Sequence, residues 1–181
     1  MAKLKELKQT IIIPEGISFD IVNDALHIKG PKGENSKKVP RSVIKIKKQG
    51  NNIILESSRS TRKEKKILMT LKAHIKNLIR GVLEGYIYKL KVCSGHFPMS
   101  VTLDNKKLLI KNFLGEKIPR KAIILDDVDV KLDGDVIIIT GVDKEKAGQT
   151  AANIEQSTRI TNRDRRVFQD GCYIIAKPGR S

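Results

Sequence analysis

Ile17-Ser18-Phe19-Asp20-Ile21 alternates apolar and polar side chains as a half-buried strand does, and Met99-Ser100-Val101-Thr102-Leu103 does the same eighty-two positions later. At that offset Leu26 falls on Leu108, Ile28 on Ile110, Lys29 on Lys111, and Gly33-Glu34 on Gly115-Glu116. With one or two insertions the correspondence continues, Ile44-Lys45-Ile46 with Val128-Asp129-Val130 and Ile53-Ile54-Leu55 with Val136-Ile137-Ile138. A helical segment follows in each copy. An ordered set of matches of this kind is the signature of duplication. The expected fold is therefore α+β: two tandem homologous domains, each an antiparallel β-sheet packed against one main helix, over residues 1–84 and 85–181.

Within the first copy the alternation predicts strands at 10–13, 17–22, 25–30, 43–48 and 52–56, with turns at Asn23-Asp24 and Gln49-Gly50-Asn51. Gly30-Pro31-Lys32-Gly33 lacks the spacing of a phosphate-binding loop and reads as a turn between strands. Thr61 and Glu64 have capping-box spacing. Behind them Ile67, Leu68, Leu71, Ile75, Leu78, Ile79 and Val82 share one helical face, and either Gly81 or Gly85 ends the helix. The second copy opens on a period-two strand, Tyr86 to Cys93, and Asp133-Gly134 supplies a hairpin turn. Its helix, capped by Asp143, has a thin face of Ala147, Gly148 and Ala151. That face suits close packing on its own sheet and also approach to a nucleic-acid backbone or a neighbouring protein, readings that do not exclude each other.

The 181 residues include 36 basic and 20 acidic side chains, a net charge of +16. A charge of about 2–8 suffices for solubility in a small domain, so the excess points to a polyanionic partner. Residues 1–88 carry 19 basic and 8 acidic groups, and residues 89–181 carry 17 and 12. The second half concentrates its cations in Arg159, Arg163, Arg165 and Arg166, beyond an acidic patch of Asp126, Asp127, Asp129, Asp133 and Asp135. Arginine's rigid fork suits phosphate, and its plane stacks on unpaired bases. Asp164 and Asp170 are placed to orient these arginines, and Val167, Cys172 and Ile174 to fold the segment back onto the core.

Catalytic chemistry finds little support. His27, His74 and His96 are dispersed, Cys93 and His96 form an isolated pair, and the aspartates lack calcium-loop spacing. No base, nucleophile and oxyanion site occur together, so no enzyme, cofactor or metal is expected. Cys93 and Cys172 read as reduced core residues. No run of apolar residues is long enough to span a membrane, and Met1 to Lys5 have none of the features of a secretion signal.

Several stretches carry a resemblance: Gly95-His96-Phe97-Pro98, Ile110-Lys111-Asn112-Phe113-Leu114-Gly115-Glu116-Lys117, Ile139-Thr140-Gly141-Val142-Asp143, and the long run from Gly148-Gln149-Thr150-Ala151-Ala152-Asn153-Ile154-Glu155-Gln156 to Asp164-Arg165-Arg166-Val167-Phe168-Gln169-Asp170-Gly171. In these the chain closely resembles the archaeal and eukaryotic branch of the ribosomal protein L6 family of the large subunit. The resemblance implies a cytoplasmic, non-catalytic constituent of the large ribosomal subunit. It implies binding to large-subunit ribosomal RNA near the sarcin–ricin loop and the stalk base, mainly through the C-terminal domain. Carried over by position, the RNA-binding residues would be Lys111, Asn112, Lys117, Gln149, Asn153, Arg159, Arg163, Arg165, Arg166, Lys177 and Arg180. Neighbouring ribosomal proteins would be the protein partners, with translation factors close by, no membrane and no independent homo-oligomer. Cys172 stands where the family commonly has an apolar residue, a part a buried thiol can play. The alternative is a free-standing, non-ribosomal nucleic-acid-binding module. A hydrolase and a scaffold for an acidic protein are more distant readings.

Overall fold

The computed structural model describes residues 7–22, 25–38, 44–50, 52–57, 61–164 and 166–179. The chain forms two compact units, Met1–Gly85 and Tyr86–Ser181. In the first, strands β1 (Leu7–Ile12), β2 (Ser18–Val22), β3 (Ala25–Gly30), β4 (Gly33–Lys38), β5 (Lys45–Gln49) and β6 (Asn52–Ser57) precede helix α1 (Arg62–Leu83). The second contains β7 (Tyr86–Cys93), β8 (Ser100–Asp104), β9 (Lys107–Lys111), a 3-10 turn at Phe113–Gly115, β10 (Arg120–Ile123), β11 (Val128–Asp133), β12 (Val136–Gly141), helix α2 (Lys144–Ser157) and β13 (Gly171–Ala176).

Each unit is α+β and wholly antiparallel, with its strands divided between two sheets. The orders β1-β6-β5 and β2-β3-β4 of the first unit recur in the second as β7-β12-β11 and β8-β9-β10. The duplication read from sequence is thus repeated in strand order. One strand breaks it: β13 adds to the outer side of β7 and makes that sheet four-stranded.

Three strands were not read from the sequence: β4, β10 and β13. β4 reads Gly-Glu-Asn-Ser-Lys-Lys, with no apolar side chain, and exists because β3 offers it a ladder from Ala25↔Lys38 to Gly30↔Gly33. Its polar, lysine-bearing character suits a sheet edge. β10 is only four residues long and pairs with β9. The strand expected at 10–13 starts earlier, since β6 is long enough to pair Leu7 with Ser57. The turn at 31–32 falls where expected and Gly50 turns between β5 and β6, whereas the β11–β12 turn is shifted by one residue to Gly134-Asp135, with Asp133 paired to Val136. Gly134 takes φ 55° there, a value open to glycine without steric penalty. Asn23, Asp24, Val43 and Asn51 lie outside the described residues.

Helix α1 buries Leu68, Leu71, Ile75, Leu78, Ile79 and Val82, the stripe set by its periodicity; Ile67 is half-buried at its margin. Thr61 occupies the N-cap, but its side chain makes no capping hydrogen bond, so the capping box does not form. Gly85, at φ 76°, follows the last turn and donates its N–H to the Gly81 carbonyl at 2.9 Å; Gly81 is buried within the helix.

In the second unit Tyr86, Tyr88, Leu90, Ile137 and Ile139 meet Ala147, Ala151 and Ile154 of α2, with Leu108, Ile110, Ala122 and Ile124 joining from the other sheet. Full burial of each large aliphatic side chain contributes about 1.5–3 kcal/mol. The Asp143 carboxylate caps α2, accepting from the Glu145 N–H at 2.7 Å. The thin face has a local cause. A Cβ at Gly148 would stand 2.9 Å from the Tyr88 hydroxyl and 3.3 Å from its ring carbon, so the glycine lets α2 settle on β7. Alanine there gains about 1 kcal/mol of helix propensity but overpacks a rigid ring. Gly148→Ala should destabilise the unit by about 1–2 kcal/mol in urea unfolding, and Tyr88→Phe, which removes the clashing atom, should restore most of the loss.

Candidate nucleic-acid interface

The arginine-rich segment is the connection from α2 to β13, and it is tied down at both ends. At its start Thr158 is buried; its Oγ1 accepts from the Cys172 N–H at 2.9 Å and donates to the Glu155 carbonyl at 3.1 Å. Glu155 Oε1 accepts the Ile174 N–H at 3.0 Å, so two side chains at the end of α2 hold β13. Burial pushes the Cys172 thiol up to about 12, which leaves it an inert packing group. Cys93 is only half-buried, against the expectation of a second core thiol.

At the far end Asp170 is 1% exposed. It accepts hydrogen bonds from the Gly95 N–H, from the His96 N–H at 3.1 Å, and lies 3.0 Å from His96 Nδ1. Burial pushes this carboxyl up, but the hydrogen bonds from His96 and Gly95 outweigh it and hold its pKa below the ordinary aspartate value. Asp170 therefore anchors the 95–98 turn instead of orienting an arginine. Asp164 does orient one: it pairs with Arg166 at 2.8 Å and accepts the Arg166 N–H at 2.9 Å, and Arg166 holds the Asp164 pKa down.

Between these anchors Phe168 stacks with His96 at 4.8 Å, and the Arg163 guanidinium lies 4.9 Å from the same ring. Phe168 packs on the core while Val167 stays exposed, so the phenylalanine performs the folding-back expected of the valine. Arg159, Arg163 and Arg166 are all exposed on this one connection. Arg165 and Arg180 lie outside the described residues.

The other candidates form two further groups. Gln149 donates to Asn153 at 2.9 Å, and Asn153 donates to the Ile123 carbonyl at 3.1 Å, which links α2 to β10. Lys111, Asn112 and Lys117 lie exposed along the β9–β10 connection. Asn112, at φ 59°, spends its amide on the Pro98 carbonyl at 2.9 Å, a structural task. Lys177 is exposed just beyond β13.

Sequence reading missed Arg120, which joins this connection to the arginine segment. Its Nε and Nη2 grip Glu116 at 2.8 and 2.6 Å, its Nη1 donates to the Ser157 and Arg159 carbonyls at 2.9 and 3.2 Å, and its guanidinium lies 4.2 Å from the Phe113 ring. The hydrogen bond from Arg120 is the main cause of Glu116's lowered pKa; burial opposes it, and the Arg163 charge adds to it. The only sequence signal was the four-residue spacing of Glu116 and Arg120, too common to be diagnostic.

In the acidic patch Asp126 and Asp127 pair with Lys106 and Lys146. Among the described residues no three His, Cys, Asp or Glu side chains converge as metal ligands. No helix among the described residues is long and apolar enough to cross a membrane.

Comparison with known proteins adds to this geometry. The profile of the family described as Ribosomal protein L6 matches twice, over residues 13–85 and 97–171, once in each unit. A protein of Methanobrevibacter smithii named large ribosomal subunit protein uL6 is 44% identical over 171 residues, covering 94% of this chain and 96% of its own length. Proteins of the same name from Methanosarcina mazei and Methanothrix thermoacetophila are 44% and 42% identical over 174 residues, covering 96% of this chain and 99% of each relative. Two profile matches falling on the two halves of a duplicated fold, together with relatives aligned nearly end to end, leave one conclusion: the chain belongs to the ribosomal protein L6 family.

Proposed function

We propose that the protein is a structural, non-catalytic constituent of the large ribosomal subunit in the cytoplasm, where it binds large-subunit ribosomal RNA near the sarcin–ricin loop and the stalk base. The observation that carries the contact surface is the anchored α2–β13 connection, which presents Arg159, Arg163 and Arg166 on a pre-ordered support. Pre-ordering lowers the entropy lost when side chains are fixed on binding. Lys111, Lys117, Gln149 and Lys177 extend the surface, while Asn112 and Asn153 act chiefly by holding its shape. Arg165 and Arg180 belong to it by family position. Neighbouring large-subunit proteins around the stalk base complete the surroundings, with translation factors passing close by.

The first unit supports a polyanionic partner as well. Arg62, Lys63, Lys65 and Lys66 crowd the first turns of α1, where the helix dipole disfavours cations. A facing phosphate backbone offsets that arrangement.

Titration of archaeal large-subunit ribosomal RNA across a salt series tests the reading. Binding should weaken steeply with salt, and the variant with Arg159, Arg163 and Arg166 all changed to alanine should flatten the slope by roughly two to three. A salt-independent affinity, or unaltered binding by the triple variant, would overturn the RNA-clamp reading. Cross-links mapping away from the sarcin–ricin region would overturn the location alone.

A further inference from the structure

Beside the arginine segment lies an open cleft of about 930 Å³, within the second unit, between the ends of β7 and α2 and the base of β13. Its volume is in the range of small-ligand sites. We infer that this cleft takes a single unpaired nucleotide of the bound RNA, with the base laid against Tyr173. The inference rests on the RNA-binding role proposed above and names a different mode of contact within it.

Tyr173 is the one tyrosine whose ring reaches solvent; it is 40% exposed, whereas Tyr86 and Tyr88 are buried. Its hydroxyl donates to the Asp170 carbonyl at 3.3 Å, so the ring is steadied by the same residue that anchors the 95–98 turn. Lys91 is its register partner on β7, and residues directly opposite in a sheet share a face. Arg159, Gln156 and Gln169 also line the cleft.

The lining is mixed in charge. Glu155 and Asp135 stand with Lys91 and Arg159, which makes this a poor trough for a run of phosphates. Donors and acceptors around an aromatic ring match a base, which offers both on its edges and a π-face for stacking. Lys91 and Arg159 supply two cations, enough for the phosphates flanking a single nucleotide. The exposed arginines of the adjoining connection deliver the RNA strand to the same place.

The test uses the full chain and archaeal large-subunit ribosomal RNA substituted with 4-thiouridine. Tyr173→Leu should lower affinity about tenfold or more while leaving the salt slope unchanged, because stacking releases no counterions. Tyr173→Phe should keep affinity within about threefold, and Lys91→Ala should reduce the salt slope by about one. Photocross-links should map to Tyr173 or to Cys93 in the cleft wall. Wild-type affinity of Tyr173→Leu, or a loss that Tyr173→Phe shares, would overturn the stacked base while the arginine-dependent binding persists. Cross-links confined to the arginine connection would do the same. Absence of any RNA binding by the unaltered chain would overturn the parent reading and the cleft with it.

Discussion

Asp170→Ala should lower the stability of the second unit by about 2–3 kcal/mol, the largest loss expected from any single polar side chain of the interface. The carboxylate is buried and serves two backbone N–H groups and an imidazole that lie some seventy-four residues away in sequence. Its removal strands those donors and releases the 95–98 turn from the arginine connection. For a unit of this size the loss corresponds to a fall in melting temperature of roughly 10 °C or more, measurable by calorimetry. Asp164→Ala, which removes an exposed carboxylate from the same segment, should leave the melting temperature unchanged. Equal effects of the two variants would contradict the anchoring role.

The pH dependence follows from the same contacts. Asp170 has a folded-state pKa below its ordinary value. Its contribution is therefore present above the unfolded pKa, about 3.9, and is lost as pH falls through the lower folded value. Acid unfolding of the intact chain should steepen below about pH 4, and Asp170→Ala should remove part of that steepening.

Arg120→Met should cost about 2 kcal/mol, from two lost carbonyl contacts, a lost ring contact and a dissolved pairing with Glu116. Methionine keeps much of the side chain's apolar stem, which separates the loss of hydrogen bonding from a loss of packing. The consequence for function is indirect. Arg120 positions the start of the arginine connection, so RNA affinity should fall while the salt slope stays near that of the unaltered chain. A direct phosphate contact would instead reduce the slope by about one. Glu116, freed of Arg120, should also lose its depressed pKa, and with it a share of the stability that disappears in acid.

How much of this was legible beforehand varies with the range of the interaction. The α1 stripe, the Asp143 cap and the β7 alternation are local patterns, and each folds as its spacing dictates. β4 had no pattern to read, because an edge strand of polar residues is held chiefly by backbone pairing with its neighbour. Gly148 announced a close approach without naming what approaches; the answer, Tyr88, lies sixty residues upstream on another element. Val167 was expected to be the returning anchor, and the part fell to its neighbour Phe168 because the His96 ring, far away in sequence, stacks on the phenylalanine.

The duplication, the α+β class, the excess of positive charge and the arginine-rich stretch could all be read before folding, since each is a property of order and composition along one chain. Which polar groups became supports was settled by folding: Asp170 under the 95–98 turn, Arg120 beneath the connection, Asn112 and Asn153 spent on backbone carbonyls. Hydrogen bonds between residues far apart in sequence leave no periodic trace. They are set when folding brings the partners together, and where packing also removes water, as at Asp170, an unmet donor or acceptor becomes costly.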